Sequence, residues 1–373
     1  MPTATTAKLR VRIVTDPAEV RAIEPEWDRL QAESPANHYG QSSSWVTRTF
    51  PAWSAKRARL SLVVATRVET GRARPRLVGV LPLCVIPGAL PWLGLRRCEP
   101  VALQYQEVNT AVLPASERLE ILTEMIAFLV ASDAARFDFL RFQVVDPESE
   151  LAHALRAAAS AFGIPVLDRK ISACPYVALE AGPRRLPAVS GKQLRQLRRD
   201  HRLLAESGHE IAIRDLSAAP QAWLDSMLEV YAQRWRDVGV ENTEYPYHEP
   251  GFRTSVRDLL AYEGPHFKAR AYGLFVSGKL ASYVFGFEGS TQVDLFNTSF
   301  DPKWGRLSPG RLLWEHVLQE LAKLPAVQRL NFMRGEDRYK REWTTLATPA
   351  HDLVIVKARG WRRRKVLRML GPT

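Results

Sequence analysis

The stretch Asp301-Pro-Lys-Trp-Gly-Arg-Leu-Ser308-Pro309-Gly310-Arg-Leu-Leu313 joins an apparent strand to an apparent helix. Serine is a favoured N-cap, and proline suits the first helical position. A glycine in the first turn lets a ligand approach amides that carry the positive end of the helix dipole. With Arg306 and Arg311 on either side, this turn predicts an anion site whose natural guest is a pyrophosphate. A well-capped helix without a ligand is the alternative, so the neighbouring sequence has to decide.

Composition narrows the class of protein. A chain of 373 residues exceeds one typical core and predicts two domains. A hydrophobic share of 46% with 25% charged residues is typical of a folded soluble protein. Cys84, Cys98 and Cys174 lack metal-type spacing, so we expect buried thiols and no metal. The N-terminal residues lack a secretory signal, which predicts a cytoplasmic protein.

A net charge of +12 favours an acidic partner, which nucleic acid, an anionic membrane or a polyphosphate cofactor would all satisfy. The loop 87–97 around Trp92 is apolar, and the tail 357–370 has seven basic and no acidic residues. The loop suits either a core segment or one that dips into a bilayer. The tail suits RNA, a frayed end or a membrane-surface helix. Together the loop and the tail favour a peripheral position on the anionic inner face of the membrane. We do not expect nucleic acid as a partner.

The predicted elements repeat. Periodicity predicts a strand, two helices, a hairpin, a strand, a helix and a strand in each half, with a basic helix over 184–202 between them. We infer an α+β fold of two tandem copies, residues 1–180 and 181–373, each a mixed central sheet flanked by helices. Only the second copy has the serine-proline-glycine turn, since the first has Leu113-Pro-Ala-Ser116 there. The ligand site is therefore expected in the second copy.

Two stretches, 295–310 and 331–343, resemble the second-half and closing signatures of the CelD-like (BioF2-like) acetyltransferases, within the GCN5-related N-acetyltransferase superfamily. Arg234-Trp235 before Gly239 resembles a third signature. The resemblance implies tandem acetyltransferase-like domains, the first degenerate and on the acceptor side and the second binding acyl-CoA or acetyl-CoA. It also implies an amine acceptor, such as an amino sugar of a cell-envelope polysaccharide or the long-chain sphingoid base of bacterial ceramide synthases. Fem-type aminoacyltransferases share the duplicated architecture but take their acyl group from aminoacyl-tRNA.

Acyl transfer needs a held thioester, a polarised carbonyl and a neutral amine. The resemblance implies that the turn at Ser308, Pro309 and Gly310 holds the donor and that a backbone amide on the preceding strand polarises the carbonyl. The cofactor-binding candidates are therefore Phe296, Asn297, Thr298, Arg306, Ser308, Pro309, Gly310 and Arg311.

The sequence identifies the base that accepts the proton of the amine less clearly than it identifies the donor-binding turn. Asp294 and Glu107 occupy corresponding places in the two repeats and are the candidates, with Tyr105 to orient the acceptor. Either carboxylate also suits an ordinary surface position.

Aromatic and basic residues that follow the last core strand are candidates for acceptor binding. If a helix begins near Asp337, Tyr339 and Trp343 fall on one face with Lys340 alongside. Core packing of the aromatic pair fits the spacing equally well, and the resemblance favours a site. The substrate-binding candidates are Arg234, Trp235, Arg334, Tyr339, Lys340 and Trp343.

The leading prediction is an acyl-CoA-dependent N-acyltransferase. The alternatives are a Fem-type transferase and a non-catalytic basic membrane-binding protein on an acyltransferase scaffold.

Overall fold

A computed structural model describes residues 8–68, 75–90, 94–103, 111–132, 136–179, 190–239 and 246–370. Three residues singled out from the sequence, Trp92, Tyr105 and Glu107, lie outside these ranges.

The described residues form α-helices and β-strands with the following bounds. The helices are α1 (Pro17–Ala32), α2 (Ser43–Thr49), α3 (Arg118–Ala131), α4 (Glu150–Ala161), α5 (Gly191–Glu206), α6 (Leu224–Asp237), α7 (Pro250–Leu260), α8 (Pro309–Leu321), α9 (Arg338–Trp343) and α10 (Gly360–Leu370). The strands are β1 (Lys8–Val14), β2 (Arg59–Val68), β3 (Arg76–Leu90), β4 (Leu95–Pro100), β5 (Phe139–Val145), β6 (Val166–Ala178), β7 (Ile211–Asp215), β8 (Lys268–Val276), β9 (Lys279–Glu288), β10 (Gln292–Phe300), β11 (Arg329–Asn331) and β12 (Ala347–Val356).

The chain divides into two compact units. Met1–Ser172 and Pro349–Thr373 form the first, and Ala173–Thr348 form the second. The predicted division at residue 180 placed the whole C-terminal segment in the second domain. The structure instead groups residues from 349 onward with the first unit, because β12 pairs antiparallel with β5 over His351–Val356. A long-range pairing of this kind leaves no local signal in the sequence.

Each unit contains a mixed sheet. In the first, the strand order is β1-β2-β3-β4-β5-β12, and β4 and β5 are the parallel neighbours. In the second, the order is β6-β11-β10-β9-β8-β7, and β10 and β11 are parallel. Among the described residues the order strand, two helices, hairpin, strand, helix, strand occurs in both units, as predicted. The mixed α+β fold is therefore confirmed.

Hydrophobic periodicity explains why these segments form these layers. In the second unit, Leu313, Val317 and Leu321 of α8 are buried against the sheet, as the spacing predicts. In the first unit, Ile121, Met125 and other apolar residues of α3 cover one sheet face, and Trp27 and Val46 of α1 and α2 lie in the cluster on the other. The three cysteines are buried, as predicted.

The structure corrects two predictions in the first unit. The segment predicted as an apolar loop over 87–97 is strand at both ends, since β3 continues to Leu90 and β4 pairs back on it from Leu95. The sequence pattern also predicts a strand over 107–113. Residues 111–113 are described, and there Val112 forms an isolated bridge to Val80, whereas the described strand that precedes α3 is β4. Apolar residues of both stretches satisfy the same pattern, so periodicity alone did not separate them.

The basic tail is folded into the first unit. Val366 of α10 is buried, and Leu367 and Leu370 pack against the same cluster as Leu95 and Phe139. The leucines therefore face the protein rather than a bilayer, and Trp361 is the exposed large apolar residue of this helix. In the described ranges, no helix combines the length and the apolar content needed to span a membrane.

Candidate functional site

The two central strands of the second unit separate at one defined point. β10 and β11 pair through Gln292–Asp294 only, after which β10 continues to Phe300 without that neighbour. A register shift against β9 between Leu295 and Asn297 marks a bulge at this point. Opposite the bulge stands Gly286, where an added Cβ would lie 2.2 Å from the carbonyl oxygen of Asp294. The sequence therefore uses glycine here to let the bulged strand approach.

Beyond Asp294, the edge of β10 that faced β11 has no neighbouring strand among the described residues. Neighbouring residues of a strand direct their backbone groups to opposite edges. The Asp301 amide donates to the Ala281 carbonyl of β9 at 2.8 Å, and the pairing register of β10 with β9 is regular back to Asn297. The amides of Thr298 and Phe300 therefore point to the edge that β11 has left, where a substrate carbonyl can accept them.

The start of α8 lies beside this edge. Ser308 has a left-handed backbone with φ of 52°, and its side chain makes no capping hydrogen bond, so the predicted side-chain cap is wrong. Its carbonyl instead accepts the amides of Arg311 at 3.1 Å and Leu312 at 3.2 Å. Since proline has no N–H, the Gly310 amide is the one in this first turn that has no acceptor among the described residues. An anion at the helix N-terminus would meet this amide and the helix dipole.

A cavity of about 630 Å³ occupies the space between these features. Its lining contains many of the residues predicted from the sequence, namely Arg234, Trp235, Thr298, Ser308, Pro309, Gly310, Arg311, Tyr339 and Trp343. The remaining lining residues are Tyr231, Ser299, Phe300, Gly305, Trp314, Asp337, Arg338 and Glu342. Their elements come from both sides of the strand separation, so the sheet geometry itself creates the site.

The cavity wall is largely aromatic. Trp314 of α8 stacks on Tyr339 with ring centroids 6.3 Å apart, and Trp343 is buried in the same cluster. The Arg234 guanidinium lies 4.8 Å from the ring centroid of Phe300. Such walls suit an elongated organic ligand with few charges along its length.

Arg311 lines the cavity but is paired with two carboxylates. Its guanidinium forms an ion pair with the buried carboxylate of Asp200, and its Nε lies 3.3 Å from Glu342. Arg306 is exposed and is not part of the cavity lining. The predicted pair of free cations around a pyrophosphate is therefore absent from the described residues, and the Gly310 amide is the principal feature that favours an anion there.

Six predicted site residues do not line the cavity, namely Asp294, Phe296, Asn297, Arg306, Arg334 and Lys340. Phe296, the bulged residue, stacks on Phe285 at 5.4 Å between centroids. Lys340 is buried, and its ammonium donates to the carbonyls of Met333 at 3.2 Å and Arg334 at 2.8 Å. These contacts hold the segment between β11 and α9 in place.

A chain of hydrogen bonds lies beside the cavity and was not foreseen from the sequence. The buried Tyr283 hydroxyl donates to Asn297 Oδ1 at 2.6 Å, and Asn297 Nδ2 donates to the Tyr247 hydroxyl at 2.9 Å. The Tyr247 ring is 5.5 Å from that of Tyr231, which lines the cavity. Burial raises the pKa of Tyr283 well above its usual value, so the phenol stays a neutral donor. A tyrosine within the otherwise apolar run of β9 was the available signal, because a buried phenol needs a partner.

Comparison with known proteins identifies the class of fold. Residues 191–341 match the family described as an acetyltransferase (GNAT) domain. No curated protein sequence matches the chain.

Three solved structures are similar over nearly the whole chain. FemX is 10% identical, with a TM-score of 0.56 over 96% of this chain and 99% of its own. L-PGS from Bacillus licheniformis is 11% identical, with a TM-score of 0.50 over 96% and 97%. A conserved protein of unknown function from Bacteroides thetaiotaomicron VPI-5482 is 9% identical, with a TM-score of 0.51 over 93% and 100%. At these identities the likeness concerns the fold alone. The chain has a tandem acetyltransferase (GNAT) fold, and the domain match lies wholly within its second unit.

Proposed function

We propose that the protein is an N-acyltransferase that moves an acyl group from a CoA thioester to an amine. The observation that carries the proposal is the cavity in which the Gly310 amide and the free edge of β10 face one ligand space. The Gly310 amide would bind the pyrophosphate of the donor, and the Thr298 amide on the edge of β10 would bind the thioester carbonyl oxygen. A hydrogen bond that strengthens as that oxygen becomes negative favours the transition state over the ground state.

The transfer forms a C–N bond and breaks the C–S bond of the thioester. The attacking amine must be neutral, it loses one proton, and the departing thiolate takes one up. The predicted candidates for the proton acceptor are still Asp294 and Glu107. Tyr105 is still the candidate that orients the acceptor amine. Asp294 is buried and is hydrogen-bonded to Asn331 and Gln292, which argues for a positioning role.

The donor is proposed as acyl-CoA, and α5 contributes to this choice. This helix packs beside α8, since Asp200 binds Arg311 and His201 lies 2.6 Å from Glu315. Its outer face carries exposed basic residues, namely Lys192, Arg195, Arg198, Arg199 and Arg202. A basic face next to an anion-binding turn suits a donor with several phosphates.

The same basic face supports a second candidate, a Fem-type transfer from aminoacyl-tRNA. A helix with five exposed cations would bind a nucleic acid backbone as readily as a nucleotide cofactor. Dependence of turnover on charged tRNA separates the two candidates.

The acceptor is proposed as an amine of the cell envelope, either an amino sugar or a lipid amine such as a long-chain base. The exposed Trp361 among the basic residues of α10 supports a position on an anionic membrane surface. The ring lies 4.9 Å from Lys365 Nζ and 5.5 Å from the Arg362 guanidinium. A non-catalytic membrane-binding protein would use the same helix but would have no need of the cavity.

Calorimetry of the full chain with CoA, acetyl-CoA and longer acyl-CoAs tests the donor. The matched variants are Gly310→Glu and Gly310→Ala. A Cβ at Gly310 would lie 3.7 Å from Phe300, an ordinary contact, so the alanine variant should fold like the wild type and lose much less binding than the glutamate variant. The glutamate variant adds a negative charge beside the proposed pyrophosphate and should lose binding at least tenfold. If no acyl-CoA binds at any chain length, the proposal is wrong.

A further inference from the structure

A second cavity, of about 990 Å³, lies entirely within the first unit. It is bounded by one face of α1, by the segment that follows α2, and by ends of β2, β3 and β4. On α1 the contributing positions Pro17, Val20, Arg21 and Glu24 share one helix face because they are three or four residues apart. Its volume lies at the upper end of the range typical of small-molecule sites. The function proposed above makes no use of it.

Four arginines from four different parts of the unit converge on this cavity, namely Arg21, Arg59, Arg96 and Arg136. Glu24 is the one carboxylate among the described lining residues. Several arginine side chains elsewhere in the unit are paired, as Arg67 is with Glu117 and Arg141 with Asp352. In contrast, the guanidinium groups of Arg59, Arg96 and Arg136 form no hydrogen bond or ion pair with any residue in the described ranges. Cations gathered without counter-charges favour an anionic ligand.

A buried carboxylate close to these arginines is already used. Asp138 Oδ2 accepts the Arg96 backbone amide at 2.7 Å, and Oδ1 accepts the Arg362 guanidinium of α10 at 3.1 Å. Asp138 therefore fixes the β4 backbone and the tail helix and leaves the Arg96 side chain for the cavity.

Most of the remaining lining residues are apolar. Val20 is buried beneath the cavity, and Phe50 and Leu60 are packed into the same core cluster. A free inorganic anion would bind to the arginines but would leave this apolar surface in contact with water. Burying it requires a ligand with an apolar body, worth about 25 cal/mol per Å² removed from water.

We propose that this cavity binds a phosphate-bearing amphiphile, with its phosphate among Arg59, Arg96 and Arg136 and its apolar chain against Val20, Phe50 and Leu60. A phospholipid in a bilayer and a soluble phosphorylated lipid share this chemistry. The site is independent of the donor site in the second unit, so it can be tested whether or not CoA binds there.

The test titrates the full chain with four probes: inorganic phosphate, dihexanoyl phosphatidic acid below its micelle concentration, uncharged dihexanoylglycerol and a single-stranded RNA oligomer. We expect the phosphatidic acid to bind at least tenfold tighter than either phosphate or the diacylglycerol. Flotation with vesicles containing long-chain phosphatidic acid then tells a bilayer source from a soluble one. Equal binding of phosphate and phosphatidic acid, or tighter binding of RNA, would overturn the proposal.

The variant for this site is Arg96→Gln with Arg136→Gln, which should weaken phosphatidic acid binding at least tenfold. Arg10→Gln is the matched control, because Arg10 is exposed on β1 of the same unit and does not line the cavity. Thermal unfolding and circular dichroism check that each variant is folded. If the double variant and the control bind phosphatidic acid equally, the arginines do not form the site.

Discussion

Asn331 Nδ2 donates a hydrogen bond to Asp294 Oδ1 at 3.0 Å, across the last position at which β10 and β11 pair. Gln292 Nε2 donates to the same oxygen at 2.8 Å, and both Asp294 and Asn331 are buried. The two side chains therefore hold the strands together directly before the separation that opens the cavity.

Substitution of Asp294 distinguishes a structural clamp from a catalytic base. Asp294→Ala would leave the Asn331 and Gln292 amides without this acceptor, and we expect a loss of about 1–3 kcal/mol in the free energy of unfolding. Asp294→Asn keeps an acceptor oxygen and should retain kcat within a few-fold, with an unchanged pH profile. Urea unfolding and acyl-transfer rates measure the two effects. A fall of about 100-fold or more in kcat for the folded asparagine variant would instead support the role as base.

The bond from Tyr283 to Asn297 predicts an energetic coupling. Asn297→Leu removes the acceptor of a buried hydroxyl and should destabilise the protein by about 1–3 kcal/mol, whereas Asn297→Asp keeps an acceptor and should cost less. If Tyr283 is already phenylalanine, the leucine substitution should cost about 1 kcal/mol less, because no hydroxyl is left unpaired. Urea unfolding of the four proteins of this double-mutant cycle gives the coupling. A coupling of zero would show that the hydrogen bond does not contribute.

Lys340 and Arg338 are two residues apart on α9 but should differ in effect. The Lys340 ammonium is buried on two carbonyls and lies 3.3 Å from Asp337, whereas the Arg338 side chain is 95% exposed. Lys340→Met should cost about 1–3 kcal/mol because those carbonyls lose their donor. Arg338→Met should change stability by less than about 0.5 kcal/mol. Thermal and urea unfolding measure both, and equal effects would contradict the structural role of Lys340.

Much of the fold was predictable because its signals are local. The hairpin between β8 and β9 turns at Ser277 and Gly278 with φ of 48° and 75°, the left-handed pair that a two-residue turn requires. The helix expected near Asp337 is present as α9. In both cases a few adjacent residues decide the conformation.

The site was less predictable because its decisive contacts are distant in sequence. The pairing of Arg311 with Asp200 joins residues 111 positions apart and changes a presumed ligand cation into part of an ion pair. The left-handed Ser308 likewise depends on the short 3-10 helix Pro302–Leu307, whose last turn it closes through its amide to Gly305 at 3.1 Å. Motif spacing identified which residues surround the cavity but not what each of them contacts.

Tyr272 predicts how stability changes at alkaline pH. Burial, with the nearby Asp215 carboxylate, raises the pKa of this phenol to about 12 in the folded protein, against about 10 in an unfolded chain. Above pH 10 the unfolded state therefore releases a proton that the folded state keeps, so stability present below pH 10 is lost as the pH rises to 12. Urea unfolding at pH 8, 10 and 11.5 should show a decline that is smaller in Tyr272→Phe, with a difference on the order of 2 kcal/mol when extrapolated to pH 12. Because Tyr283 is present in both proteins, the difference isolates Tyr272. Parallel declines in the two proteins would show that Tyr272 does not titrate as its burial requires.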